Sequence, residues 1–194
     1  MSRIKTVGIV GTGVIGTGWI IRNLAHNKIV HAYDQNKNLK NYVLKEIKRT
    51  SKSIKKLFGK KILIKNLKFF NSLEKALSNV DFVQESVLEN YKVKTDLIQK
   101  ISKYVKSNII ISSSSSGLLP SKIFSKSKNP QRGIIGHPFN PAYLLPAVEI
   151  VPGKKTTKKF LLDANKYYKS ISMKPIMLKK ELPGYLSDRL QEAL

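Results

Sequence analysis

A histidine and a glutamate twelve positions apart frame the stretch of this chain richest in chemistry. Residues 137 to 149 run His-Pro-Phe-Asn-Pro-Ala-Tyr-Leu-Leu-Pro-Ala-Val-Glu. An imidazole can take a proton near neutral pH. A carboxylate on one ring nitrogen fixes the tautomer and raises the basicity of the other. Such a pair suits removal of a hydroxyl proton while hydride leaves the carbon that bears the hydroxyl. Pro138 and Pro141 stiffen the backbone between the two residues, and Pro138 pushes His137 towards an extended conformation. Spacing alone leaves a purely structural histidine open as the other reading.

The start of the chain supplies a partner for that chemistry. Gly11-Thr12-Gly13-Val14-Ile15-Gly16 is a G-x-G-x-x-G sequence that follows a strand pattern and opens a helix pattern, the context that gives the motif meaning. Gly11 allows a tight turn, Gly13 lets the backbone approach a pyrophosphate, and Gly16 lets helix and strand pack closely. The amides of this segment, at a helix N-terminus, can hold the phosphates. Asp34 closes the next strand, where its carboxylate can accept from adenosine ribose hydroxyls and repel a 2′-phosphate. This favours NAD over NADP. The plainer reading is a glycine turn with an aspartate that caps it. Trp19 and Gly18 read as packing residues.

The elements that must position these groups are legible as periodicities. Strand patterns cover 5–10, 29–33, 67–70, 81–86, 108–113, 133–137, 147–151 and 175–178. Helix patterns cover 14–27, 39–58, 72–78, 90–105 and 156–170, with a short helix opened by Pro120. This alternation predicts an α/β fold, a doubly wound, mostly parallel sheet of the Rossmann type. His137 then falls at the C-terminal end of a parallel strand, where ligand sites open in such sheets. The pattern predicts one dinucleotide-binding domain over 1–182. Residues 183–194 read as the start of a helical C-terminal domain, cut short because the final helix pattern has no stop signal.

Composition narrows the function. Hydrophobic residues make up 41% of the chain and support a buried core, and cysteine is absent, which excludes disulfides and thiolate metal sites. No metal site is read elsewhere. No apolar run approaches the roughly 18 residues of a membrane span, and the early strand pattern leaves no room for a signal peptide. The expected setting is cytoplasmic. The formal net charge is +24, overwhelmingly from lysines spread along the chain. Arginine, the better reader of phosphate and base, occurs only at 3, 22, 49, 132 and 189. Lysines 45, 48, 52, 55 and 56 read as a solvated helix face, so nucleic acid is not an expected partner.

Six segments carry a resemblance that covers essentially the whole chain. They are Gly11 to Gly16; Gln84-Glu85-Ser86-Val87-Leu88-Glu89; Ser114-Ser115-Ser116-Gly117-Leu118-Leu119-Pro120-Ser121; residues 137 to 151; Ile171-Ser172-Met173-Lys174; and Asp188-Arg189-Leu190-Gln191-Glu192-Ala193-Leu194. Together they resemble the 3-hydroxyacyl-CoA dehydrogenase superfamily. The resemblance implies NAD-dependent oxidation of a 3-hydroxyl, with His137 as general base and Glu149 orienting it. It implies that Ser116 hydrogen-bonds the reacting oxygen near the nicotinamide and that Asn140 helps hold nicotinamide and substrate. It also implies that Glu89 and Lys94 contact the cofactor; read alone, they are a helix-start acid and a surface lysine. Ser114 and Ser115 stay open in place of Ser116 if the register slips.

Asp188 stands where many members of the superfamily have asparagine. With the Leu-Leu-Pro repeats at 118–120 and 144–146, it resembles the branch acting on a 3-hydroxy acid that bears a quaternary ammonium. Phe139 and Tyr143 are candidates to face such a cation, with core packing as the alternative. The implied partners are a small-molecule substrate and a second copy of the chain, a homodimer formed through the C-terminal helical domain. Neither nucleic acid nor membrane is expected. A 3-hydroxyacyl-CoA substrate, or a non-catalytic NAD-binding module, remain the competing readings.

Overall fold

A computed structural model describes residues 4–194. Eight strands form one sheet in the order β3-β2-β1-β4-β5-β6-β7-β8. They are β1 (Thr6–Val10), β2 (Ile29–Tyr33), β3 (Leu67–Phe70), β4 (Phe82–Glu85), β5 (Ile110–Ser113), β6 (Gly133–Pro138), β7 (Ala147–Pro152) and β8 (Lys174–Met177). Helices α1 (Val14–Ala25), α2 (Leu39–Phe58), α3 (Leu73–Leu77), α4 (Tyr91–Tyr104), α5 (Pro120–Ile123), α6 (Lys158–Ser170) and α7 (Ser187–Glu192) complete the chain. The doubly wound, mostly parallel α/β class predicted from the periodicities is the fold observed.

Strand residues alternate between two cores, one on each face of the sheet, as a period of two requires. Phe82, Ile110 and Ile134 join α1, α2 and α6 residues such as Ile20, Ile47 and Tyr167 in one core. Their neighbours Val83, Ile111 and Ile135 join Leu77, Ile98 and Ile123 of α3, α4 and α5 in the other. Helix α2 shows the same logic in one element. Val43, Ile47, Thr50 and Ile54 are buried at helical spacing, and the lysines at 45, 48, 52, 55 and 56 are exposed, as the sequence predicts. Among the described residues, no helix is long and apolar enough to cross a membrane.

One pairing in the sheet is antiparallel. Strands β6 and β7 are joined by residues 139–146 rather than by a crossover helix, so the chain turns back directly. Arg22 of α1 holds this connection. Its Nε donates to the Ala142 carbonyl at 3.0 Å and its Nη2 to the Leu145 carbonyl at 2.9 Å. The guanidinium lies 4.9 Å from the centre of the Phe58 ring, and burial lowers its pKa to about 10.

Within 183–194, read as the start of a helical domain, the helix does not begin at once. Gly184 and Tyr185 adopt left-handed backbone conformations, φ 68° and 46°, so the helix starts only at Ser187. Tyr185 is fully buried and belongs to the core of the preceding sheet.

Across the first core, the Tyr168 hydroxyl donates to Gln84 Oε1 at 2.7 Å and pairs with Ser112 Oγ at 2.8 Å, all without solvent. Tyr168→Phe leaves both partners short of a hydrogen bond in a place water does not reach. It is expected to lower unfolding stability by about 1–3 kcal/mol in urea denaturation.

Candidate active site

The C-terminal ends of β1, β2 and β4 open into a cleft of about 540 Å³, lined by Gly11, Gly13, Asp34, Val87, Leu88 and Lys100 among others. The glycine turn fits a dinucleotide. Gly11 has φ 87°, and a Cβ there would stand 2.6 Å from the Ser86 carbonyl oxygen. A Cβ on Gly16 would stand 1.9 Å from the Gly11 carbonyl oxygen, so α1 can press against the turn only because Gly16 lacks one. Gly13, by contrast, faces open space, which is what a pyrophosphate approaching the backbone needs. Asp34 is held at the strand end. Its Oδ2 accepts from the Thr12 amide at 2.6 Å and from Thr12 Oγ1 at 3.2 Å, and its Oδ1 from the Asn36 amide at 2.9 Å. Thr12 is buried, Ile15 half-buried, and Val14 exposed at the mouth.

Beside the cleft lies a polar network with no access to solvent at its centre. Lys94 Nζ donates to Glu85 Oε1 at 2.8 Å and to the Val87 carbonyl at 3.1 Å, and it lies 3.5 Å from Glu89 Oε2. Lys94 is therefore not the surface lysine that its position in a polar helix suggests; its side chain is 1% exposed. Glu85 also accepts from Ser113 Oγ at 2.5 Å and from the Val87 amide at 2.6 Å. Glu89 accepts from Ser115 Oγ and from the amides of Ser116 and Gly117. Burial pushes the Glu89 pKa up, but these hydrogen bonds and the Lys94 charge together outweigh it, leaving the carboxyl below its ordinary range.

The serine run is sorted by its partners. Ser112 pairs with Tyr168 and Ser113 with Glu85. Ser114 takes the Trp19 indole N–H, Gln84 and Ser86, so Trp19 both packs and donates. Ser115 donates to Glu89 and accepts from the Leu118 amide. Among the described residues, the Ser116 hydroxyl makes no hydrogen bond. It is the member of the run left free to meet another molecule.

His137 and Glu149 stand directly opposite each other in the β6–β7 ladder, with Nδ1 and Oε2 2.8 Å apart. The two strands were legible in the sequence; their face-to-face register was not. The Glu149 side chain is 1% exposed and that of His137 13%. Oε1 of Glu149 accepts from the amides of Leu186 at 2.9 Å and Ser187 at 3.1 Å, and Oε2 also accepts from Ser187 Oγ at 2.7 Å. Burial pushes the Glu149 pKa up. The hydrogen bonds from His137, Ser187 and Leu186 together prevail and leave it lowered. An ionised carboxylate can only accept, so Nδ1 of His137 carries the proton and Nε2 is left as a proton acceptor.

Around the pair, Tyr185 meets the imidazole edge-on at 5.7 Å between ring centres and Phe139 lies at 6.1 Å. Tyr143 turns to other partners: its hydroxyl meets Arg49 of α2, and its ring packs on the first core. Asn140 is exposed in the connection that Arg22 anchors. Asp188 is half-buried, and among the described residues its side chain has no hydrogen-bond partner. Ser187 and Tyr185 were not singled out in the sequence. Ser187 lies 38 positions from the glutamate it binds, and no spacing rule links them.

Two outcomes follow from this burial. Lys94→Met strands the Glu85 carboxylate without its cation, and a loss of about 3–5 kcal/mol in chemical denaturation is expected, largely recovered in the double variant Glu85→Leu/Lys94→Met. For Glu149, a lowered folded-state pKa means its contribution is full above the ordinary carboxylate range. That contribution is lost as pH falls through the folded value. Stability measured from about pH 7 down to about pH 3 should therefore fall less steeply in Glu149→Gln than in the wild type.

The model of the 3-hydroxyacyl-CoA dehydrogenase, NAD binding domain family matches residues 6–182. The chain is 42% identical over 98% of its length to an L-carnitine dehydrogenase of Oceanobacillus iheyensis, covering 62% of that protein. It is 41% identical over its whole length to an L-carnitine dehydrogenase of Pseudomonas putida, covering 61% of it. The chain thus spans a little over three-fifths of the length of these curated relatives. Among solved structures, the (S)-3-hydroxybutyryl-CoA dehydrogenase of Ralstonia eutropha superposes with a TM-score of 0.86 at 26% identity, over 97% of this chain and 68% of that one. With a glycine turn shaped for a dinucleotide and a family match over most of its sheet, the chain belongs to the NAD-binding domain family of the 3-hydroxyacyl-CoA dehydrogenases.

Proposed function

We propose that this chain carries the NAD site and the acid–base pair of a dehydrogenase that oxidises the 3-hydroxyl of L-carnitine to the ketone of 3-dehydrocarnitine. The observation that carries the reading is the His137–Glu149 pair, whose Nδ1 side is fixed and whose Nε2 is left to accept a proton. The choice of L-carnitine over a 3-hydroxyacyl-CoA draws on the names of the relatives and on Asp188.

In this reading His137 Nε2 takes the proton of the 3-hydroxyl as the carbonyl forms. NAD, when bound, supplies the acceptor for the hydride that leaves the same carbon. Glu149 stabilises the imidazolium that results, and its buried charge is already solvated by fixed donors, so little reorganises as the proton arrives. The free hydroxyl of Ser116 donates to the reacting oxygen. Asn140 holds substrate and nicotinamide, and Gly11 to Gly16 with Asp34 hold the adenosine and pyrophosphate. Glu89 borders the nicotinamide side, and Lys94 acts on the cofactor through Glu89 and the loop it supports. The unpaired carboxylate of Asp188 and the ring of Phe139 suit a quaternary ammonium. We take the working protein to be a homodimer in the cytoplasm, as the family resemblance implies.

The test is NADH formation followed by absorbance, with the purified chain, NAD and L-carnitine. His137→Gln should cut turnover by about 10²–10⁴-fold with NAD affinity unchanged. NAD binding without carnitine-dependent NADH would sink the claim that these 194 residues suffice for the reaction, and the same assay with the C-terminal part of the relatives attached would then decide the substrate. Turnover of a 3-hydroxyacyl-CoA in its place would point to the other branch, and turnover of neither to a binding module.

A further inference from the structure

The Glu149 carboxylate is saturated. An ionised carboxylate offers about four acceptor positions, and here each oxygen has two donors. Oε1 takes the amides of Leu186 and Ser187; Oε2 takes His137 Nδ1 and Ser187 Oγ. Three of the four donors come from one short segment just before and within α7. Ser187 Oγ lies 3.5 Å from His137 Nδ1, so both share the oxygen between them.

Ser187 does not do the ordinary work of a serine at a helix start. The capping residue of α7 is Leu186, with no side-chain cap bond, and the Ser187 hydroxyl turns to β7 instead of to its own helix. The segment is held there from the other side. Tyr185, left-handed and fully buried, donates its hydroxyl to the Leu118 carbonyl at 2.7 Å, and its ring packs on the edge of the imidazole. A non-glycine residue keeps such a backbone only where its surroundings over-determine it.

We infer that Ser187 is a positioning residue of the acid–base pair. With the amides of Leu186 and Ser187, its hydroxyl fixes the plane of the Glu149 carboxylate so that Oε2 faces Nδ1 of His137 and Nε2 stays free. Without the hydroxyl, Oε2 keeps a single partner. The carboxylate is then held on Oε1 alone, takes up a proton more readily, and no longer presents Oε2 to Nδ1 in one fixed direction. This rests on the reading of His137 as the base, but its test needs no turnover.

The test is NMR of the 194-residue chain with labelled histidine and glutamate, comparing wild type, Ser187→Ala and Ser187→Thr. In the wild type, the neutral His137 ring should show a single Nδ1–H tautomer. In Ser187→Ala the Glu149 carboxyl signal should titrate at higher pH, and the Nδ1-bound proton of His137 should move upfield and broaden as its hydrogen bond to Oε2 loosens. Ser187→Thr, which keeps the hydroxyl, should restore both. Should Ser187→Ala fail to fold, Ser187→Cys, nearly isosteric and a poor donor, is read in its place. An unmoved Nδ1–H proton signal and an unmoved Glu149 titration in the folded variant would overturn the assignment. A chain inactive on carnitine that still shows these changes would leave Ser187 in its role whatever becomes of the substrate reading.

Discussion

The buried ion pair of Glu85 and Lys94 is the constraint from which the rest of this site follows. Glu85 ends β4, and β4 is the neighbour of β1 at which the strand order reverses. In such sheets the crevice at the reversal is where ligands bind. A carboxylate there, with no exposure, costs several kcal/mol to desolvate unless every lone pair is used. Lys94, Ser113 and the Val87 amide use them. In satisfying Glu85 these groups fix the end of β5, the first turns of α4 and the loop between β4 and α4. That loop carries Glu89, and Glu89 in turn gathers the amides and hydroxyls of residues 115 to 117. The free hydroxyl of Ser116 is thus placed by a charge pair two layers beneath it. A buried pair of this kind adds little net stability, but it admits few alternative arrangements of the loops around it.

The two halves of the site meet through Tyr185. Its hydroxyl binds the Leu118 carbonyl and approaches Ser115 Oγ at 3.5 Å, on the side organised by Glu89. Its ring packs on His137, and the residues after it hold Glu149. Burial pushes the Tyr185 phenol well up, so it remains a donor through any working pH. A second tie runs across the opposite face. Arg22 rises from α1, the helix that the glycine turn opens, and grips the connection between His137 and Glu149 by two carbonyls. The glycine turn and the His137–Glu149 pair are therefore linked through packed and hydrogen-bonded protein on both faces of the sheet.

Much of this was legible in the sequence because periodicity and glycine chemistry are local. The strands and helices, the turn at Gly11 to Gly16, and Asp34 at the end of β2 each depend on residues close by. What was not legible depends on partners remote in sequence. Lys94 looks like a solvated lysine until Glu85, nine residues earlier, is placed under it. His137 and Glu149 read as a pair, but their opposition depends on β7 running back along β6, which the connection and Arg22 decide. Residues 185 to 187 fall in the segment that reads as the start of a helical domain. In the fold, Tyr185 is left-handed, since that is how its ring reaches the core while the next two amides reach Glu149.

The same geometry explains why two adjacent polar residues have different fates. Successive residues of a helix point about 100° apart. Once Ser187 is turned onto Glu149, Asp188 cannot face the same carboxylate and projects to a different side of α7. Facing inward, it would have set a second negative charge against Glu149. Asp188 is half-buried and unpaired among the described residues, in a chain whose net charge is +24 and whose lysines are abundant. Asp96, by contrast, is met by both Lys92 and Lys126. Among the described residues Asp188 has no such partner, and it lies next to Ser187, which holds Glu149. Under the proposed reading, the cation it awaits belongs to the substrate. On that reading, the helix that sets Ser187 on Glu149 also leaves Asp188 open to a positive charge.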